Sequence, residues 1–321
     1  MWKRLAPFVP GPHAHPLLRP HPYRTMPATW THISRSLPPD FEPEMTHTEH
    51  TFIGTDNVCL YTQSWQPQLP ARAAIIIVHG YAEYSSRYEH VAKHFVKQGI
   101  SVHTYDQRGY GRSGGRRAFI RSFDEYVNDL AIFVARTKEQ TAELPLLLFG
   151  HSMGGLISAH YCLRQDQAVD GLILSSPAID VGQDVPTLVR KLARSVSLLT
   201  PTLPTVALDF DYISQDPDVV LNVRQDPLQY QGRMPARLGS EIMRAAAFVR
   251  EHGARLRLPL LIIHGTADRI ANPSGSWEIY GKAESMDKSL HLYEGLYHET
   301  FNEPQKQSVL NDISRWILQR L

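Results

Sequence analysis

Residues 146–157 read LLLFGHSMGGLI. The apolar run Leu146–Phe149 is too short for a buried helix and ends in glycine, so it reads as a parallel strand delivered into a sharp turn. Gly150, Ser152 and Gly154 then stand at Gly-x-Ser-x-Gly spacing, the pattern of a strained strand-to-helix turn that lifts a serine hydroxyl above a sheet. Gly150 and Gly154 lack the Cβ atoms that would crowd such a turn, and Gly155 lets the following helix sit close to its neighbours. Ser152 is therefore the candidate nucleophile. The bland alternative is a glycine-rich turn whose serine caps a helix, so the chemical reading needs a base, an acid and oxyanion donors elsewhere in the chain.

Working outward, residues 73–78 (AAIIIV) and 260–265 (LLIIHG) are continuous apolar runs of the kind buried on both faces of a parallel sheet. SVHTYD and GLILSS read as further strands, and SLHLYEG as the last. Helical spacing occupies RYEHVAKHFVKQG, which closes on Gly99, residues 122–142, the segment after Pro273, and residues 304–320. Upstream, THTEHTFIG and VCLYTQSW flank a turn at Thr55–Asn57 and predict an antiparallel hairpin. Between Pro177 and Pro259 the strand–helix alternation stops and a proline-punctuated, helix-favouring region takes over. The expected fold is α/β: a mostly parallel, doubly wound sheet with an N-terminal antiparallel hairpin and a helical cap inserted at about 178–255. The domain is expected over residues 45–321.

Residues 1–44 are rich in Pro and His, lack sustained periodicity and read as a poorly ordered extension. Basic residues precede a short apolar piece there, but Pro7, Pro10 and Pro12 interrupt it before it reaches the length of a signal-peptide core. No acidic residue occurs before Asp40, as in a transit peptide, yet the prolines also spoil an amphipathic helix. His13, His15 and His21 read as solvated tail rather than metal ligands, for lack of Cys or acidic partners.

Across the 321 residues, 33 Lys and Arg oppose 32 Asp and Glu, without the basic excess that nucleic-acid binding needs. No run approaches the roughly 20 apolar residues of a membrane span, so a soluble protein is expected. Only two cysteines occur, Cys59 in a predicted strand and Cys162 in a predicted helix. They suggest buried free thiols, no disulfide framework and a reducing, cytoplasmic location.

A serine hydroxyl needs a general base, itself oriented by a carboxylate. In α/β-hydrolases these follow in the order Ser, acid, His. Asp268, in HGTADRI after the 260–265 strand, and His298, in EGLYHETFNEP after the last strand, satisfy that order. His79, His151 and His264 also sit beside glycines at strand ends and compete as bases, although His79 and His264 precede the acid and read as structural. The oxyanion donors are expected to be the backbone N–H groups of Met153 and of Tyr81, in the loop after the 73–78 strand. Glu83, Arg87, Asp106 and Arg108 read as loop-holding charges.

The motifs HGYAEYSSRY, DQRGYGRSGG, GHSMGG, HGTADRI and YHETFNEP, in this order and spacing, resemble the monoacylglycerol lipase family of α/β-hydrolases, including its lysophospholipase-like bacterial members. The resemblance covers residues 45–321. It implies Ser152, Asp268 and His298 as a triad, the amides of Tyr81 and Met153 as oxyanion donors, and a cap between the 171–176 and 260–265 strands. The family commonly has a small residue where Tyr81 stands and His at Tyr84, Gln107 and Tyr110. These departures bear on the acyl or glycerol pocket and leave the chemistry untouched.

The expected activity is thus serine ester hydrolysis through an acyl-enzyme on Ser152, with a lipid or other ester substrate and no metal or organic cofactor. Monoacylglycerol is the leading substrate. A carboxylesterase on shorter acyl esters, a lysophospholipase or acyltransferase, and a non-catalytic ligand-binding relative are the alternatives. Peptidase activity is disfavoured because no acidic anchor for an amino terminus is evident. The stretch VPTLVRKLARSVSLLTPTLP mixes apolar and basic residues and reads as an amphipathic helix packed on the core, with transient contact to a lipid surface as the second reading.

Overall fold

The computed structural model describes residues 45–141, 143–165, 169–180 and 195–321. The extension at 1–44, with His13, His15 and His21, and the basic residues of VPTLVRKLARSVSLLTPTLP therefore lie outside the described residues.

Eight strands form one sheet in the order β1-β2-β4-β3-β5-β6-β7-β8. β1 (Met45–Ile53) and β2 (Cys59–Pro67) make the antiparallel hairpin, joined by the turn Thr55–Asn57, and β2 continues antiparallel onto β4 (Ile100–Tyr105). β3 (Ala73–Val78), β4, β5 (Leu146–His151), β6 (Gly171–Ser175), β7 (Leu260–Gly265) and β8 (Lys288–Tyr293) are mutually parallel.

The continuous apolar runs have a simple cause: both faces of each central strand are covered. Ala74, Ile76 and Val78 of β3 pack into one core and Ala73, Ile75 and Ile77 into the other. β5 and β7 divide the same way, Leu148 and Ile262 on one side and Phe149 and Ile263 on the other. Helices α2 (Asp124–Gln140), α3 (Met153–Arg164) and α5 (Ala236–His252) cover the first face. Helices α1 (Glu89–Lys97) and α7 (Lys306–Leu318) cover the second. Helix α4 (Pro217–Gln225) lies between β6 and β7 in sequence, and α6 (Ser274–Lys282) follows β7.

Gly99 adopts φ +78° just after α1, the left-handed conformation that stops a helix. One expectation fails. Cys59 is exposed, since it opens the second hairpin strand opposite Ile53 at the sheet edge, whereas Cys162 is buried in α3. Both thiols are free.

The chain passes from β3 outward to β4 and then returns to place β5 on the other side of β3. That reversal is a topological switch point, and ligands of open α/β sheets bind beyond the carboxyl ends of the strands there.

Candidate active site

Ser152 sits between the end of β5 and the first turn of α3, with φ +52° and ψ −117°. A non-glycine residue held in that region costs about 1–3 kcal/mol, so its surroundings must impose it. They do so from both sides. The Ser152 N–H donates to Ser175 O at 2.9 Å, and the Ser152 carbonyl accepts from Leu156 N–H at 3.1 Å and Ala178 N–H at 3.0 Å. The two glycines are sterically obligatory, because a Cβ on Gly150 would lie 2.5 Å from Gly154 O and one on Gly154 would lie 2.1 Å from Val78 O. The turn thus presses α3 against the end of β3, where His79, Gly80 and Tyr81 follow.

Asp268 lies in the loop after β7 and His298 in the loop after β8. His298 Nδ1 donates to Asp268 Oδ2 at 2.7 Å. The other carboxylate oxygen, Oδ1, accepts the backbone N–H groups of Ile270 and Ala271 at 2.7 and 3.0 Å. Burial opposes the charge on Asp268, but His298 and His264 outweigh it and hold the carboxyl far below its usual range. Burial likewise opposes the charged form of His298, and the Asp268 charge with its hydrogen bond reverses that, leaving its proton affinity raised. Ser176 Oγ donates to the His298 carbonyl at 2.7 Å and Glu299 N–H to Ile213 O at 2.8 Å, which fixes the loop on either side of the ring.

Ser152, His298, Met153 and Tyr81 all line one cavity of about 300 Å³. Met153 is the first residue of α3, so its N–H belongs to the electropositive helix end. Val206, Leu208, Phe210, Ile213, Met234 and Ile242 add apolar side chains to its lining, and Glu83, Arg87 and Glu299 add charged ones. Apart from Ile242 on α5, these apolar lining residues belong to irregular and short helical segments between β6 and β7.

The competing histidines separate clearly. His79 does not line the cavity; its Nε2 accepts the Gln107 N–H at 2.8 Å, and burial pushes it down to about 4. His151 does line it, its ring tilted 55° to that of His298 with centroids 4.8 Å apart, but burial and the neighbouring His298 charge push it well below the ordinary value. His264 is fully buried beneath Asp268, with Nε2 2.9 Å from Oδ2.

Asp106 and Arg108 hold loops as expected. Asp106 accepts Ser85 N–H and Arg112 N–H, while Arg108 binds Asp129 at 2.6 Å and Glu125 at 3.0 Å. Glu83 and Arg87 do more than the sequence indicated. Arg87 forks onto both oxygens of Glu299 at 2.8 and 2.7 Å and onto Glu83 at 3.0 Å, the two carboxylates buried and Arg87 partly so, all three lining the cavity. Burial raises the Glu83 carboxyl to about 7, with Arg87 opposing the rise and the Glu299 charge adding to it. Glu299 gave no sequence signal beyond adjacency to His298, because its partner is 212 residues away. Both acidic groups are committed to Arg87, so neither offers a free anchor for an amino terminus.

A serine at a strained strand-to-helix turn, with a histidine–aspartate pair at the same edge of a parallel sheet, defines a serine hydrolase of the α/β-hydrolase fold. More particularly, the chain belongs to the serine aminopeptidase S33 family, whose model matches residues 70–305. It is 36% identical over 276 residues to a monoacylglycerol lipase of Mycolicibacterium smegmatis, covering 86% of this chain and 99% of that one. It is 30% identical to the Homo sapiens monoglyceride lipase over 84% of this chain and 89% of that one. The crystal structure of a Paleococcus ferrophilus monoacylglycerol lipase superposes with TM-score 0.72 at 27% identity, covering 87% of this chain and 100% of that one. Among the described residues no helix is long and apolar enough to cross a membrane.

Proposed function

We propose that the protein hydrolyses monoacylglycerol to glycerol and a fatty acid, with Ser152, His298 and Asp268 as the triad. The observation that carries this is that Ser152 and His298, the latter held by Asp268, line one cavity whose other lining side chains are both apolar and polar. That mixed lining suits an ester with an acyl chain at one end and a polyol at the other. The names of the similar proteins support the same substrate class.

In the proposed cycle Ser152 Oγ attacks the ester carbonyl while His298 takes its proton and Asp268 stabilises the imidazolium. The amides of Tyr81 and Met153 receive the developing oxyanion. His298 returns the proton to the departing glycerol oxygen, and water then attacks the acyl-enzyme by the same route. The described residues 195–255 act as a cap that supplies most of the apolar lining. Val196, Leu198, Leu199, Leu203 and Val206 are exposed on it and serve transient contact with a lipid surface. Free Cys59 and Cys162 fit a cytoplasmic location.

The test is glycerol release from mono-, di- and trioleoylglycerol beside short-chain p-nitrophenyl esters, with Ser152→Ala as control. Selective turnover of the monoacyl substrate, abolished in the variant, is expected. Turnover of short-chain esters alone would move the protein to the general carboxylesterases.

A further inference from the structure

Asp268 Oδ2 accepts two histidine donors, not one. His298 Nδ1 lies at 2.7 Å and His264 Nε2 at 2.9 Å. The second contact of His264 Nε2 is Ala271 O at 3.0 Å. Both neighbours of that nitrogen are acceptors, so Nε2 carries the proton. The opposite nitrogen, Nδ1, stands 2.7 Å from Ser276 Oγ, a hydroxyl able to donate to it. The ring thus has a polar partner on both edges, with a proton on Nε2. It is fully buried, at the end of β7, while Asp268 and Ala271 belong to the loop that follows.

Each oxygen of Asp268 thus has two donors: Ile270 and Ala271 N–H on Oδ1, and His264 and His298 on Oδ2. Three of the four come from the strand and loop that carry the acid. Without His264, Oδ2 keeps only the ring it is meant to orient, and the Ala271 carbonyl loses its donor in a buried place. We infer that His264 is a positioning residue for the acid: through one N–H shared between Asp268 and Ala271 it fixes the carboxylate plane against which His298 is held. This rests on the reading of Asp268 as the triad acid.

The test compares His264→Gln, His264→Leu, Asp268→Asn and the His264→Leu/Asp268→Asn double variant. Kinetics use a soluble ester below each variant's thermal transition, and the low-field proton resonance of the His298 Nδ1–H is followed alongside. A glutamine amide offers two N–H bonds to the same two acceptors, so His264→Gln is expected to keep kcat within about threefold and retain the resonance. His264→Leu is expected to lower kcat about 10- to 100-fold, the usual range for losing a partner that orients a functional ligand, with KM within twofold and the resonance shifted or lost. The double variant is expected to be no worse than Asp268→Asn, which should lose about 10⁴-fold. His264→Leu within threefold of the parent, or His264→Gln falling as far as His264→Leu, would overturn the positioning role alone. Asp268→Asn with parental turnover would overturn the triad reading and the positioning role with it. If His264→Leu does not fold, Ser276→Ala carries the test: it removes the Nδ1 partner and is expected to cost several-fold in kcat, and no loss would count against the role.

Discussion

Gly154→Ala measures how tightly the elbow is built. A Cβ at this position would lie 2.1 Å from Val78 O and 2.4 Å from His79 O, both backbone atoms. Ordinary contact begins at 3.4 Å, so the gap must open by about 1.3 Å. β3 cannot supply that movement readily, being paired to β4 on one side and β5 on the other. The first turn of α3 must therefore shift away from the residues 79–81 turn, and Ser152 and the Met153 amide shift relative to Tyr81. A misplacement of about 1 Å costs about 10²-fold in rate, and overpacking of this kind costs about 1–3 kcal/mol in stability. The assay is kcat/KM on a soluble p-nitrophenyl ester together with thermal unfolding. Gly281→Ala is the control, since its Cβ meets nothing within 4 Å and it lies in α6, where alanine is favoured by about 0.5–1 kcal/mol. We expect Gly154→Ala to lose about 100-fold in kcat/KM while Gly281→Ala keeps parental activity. Gly154→Ala within threefold of the parent would refute the argument that this contact sets the site geometry.

Two predictions concern protons. Because Asp268 raises the proton affinity of His298 above the ordinary 6.5, and a general base must be unprotonated, kcat/KM should fall as pH drops through a midpoint above 6.5. A pH–rate profile with its acid midpoint at or below 6.5 would contradict this. His103, on β4, is held at about 4 by burial, with Nε2 lacking a partner. The unfolded chain takes up a proton near 6.5 that the folded ring refuses, so stability is lost as pH falls from about 6.5 through about 4. Between pH 7 and pH 5 this amounts to about 2 kcal/mol. Denaturant unfolding at the two pH values should show that much less pH dependence in His103→Leu, and an unchanged dependence would exclude the group.

The sheet was legible because its physics is local and periodic. Burial on both faces writes continuous apolar runs at 73–78, 146–149 and 260–263, and the glycines after them mark the turns around the candidate site. The approximate bounds of the helices followed from spacing, with α2 two residues shorter at each end than the expected 122–142. Ser152, Asp268 and His298 stood out because each follows a strand, in the chain order that the proposed triad requires. What stayed hidden depends on side chains meeting across long sequence distances. Nothing in the sequence pairs Arg87 with Glu299, and the exposure of Cys59 follows from its place at the end of the hairpin pairing. His264 was visible as a strand-end histidine, but its contact with Asp268 depends on how the loop folds back after Gly265.

The central claim is that Ser152 is the nucleophile. Its most direct test is labelling of the folded protein by a fluorophosphonate, with the modified peptide located by mass spectrometry and residual ester hydrolysis followed in the same sample. The account predicts one adduct per chain, on Ser152, formed in step with loss of activity and absent from Ser152→Ala. Adduct formation on another residue, or parental hydrolysis by fully labelled protein, would contradict it.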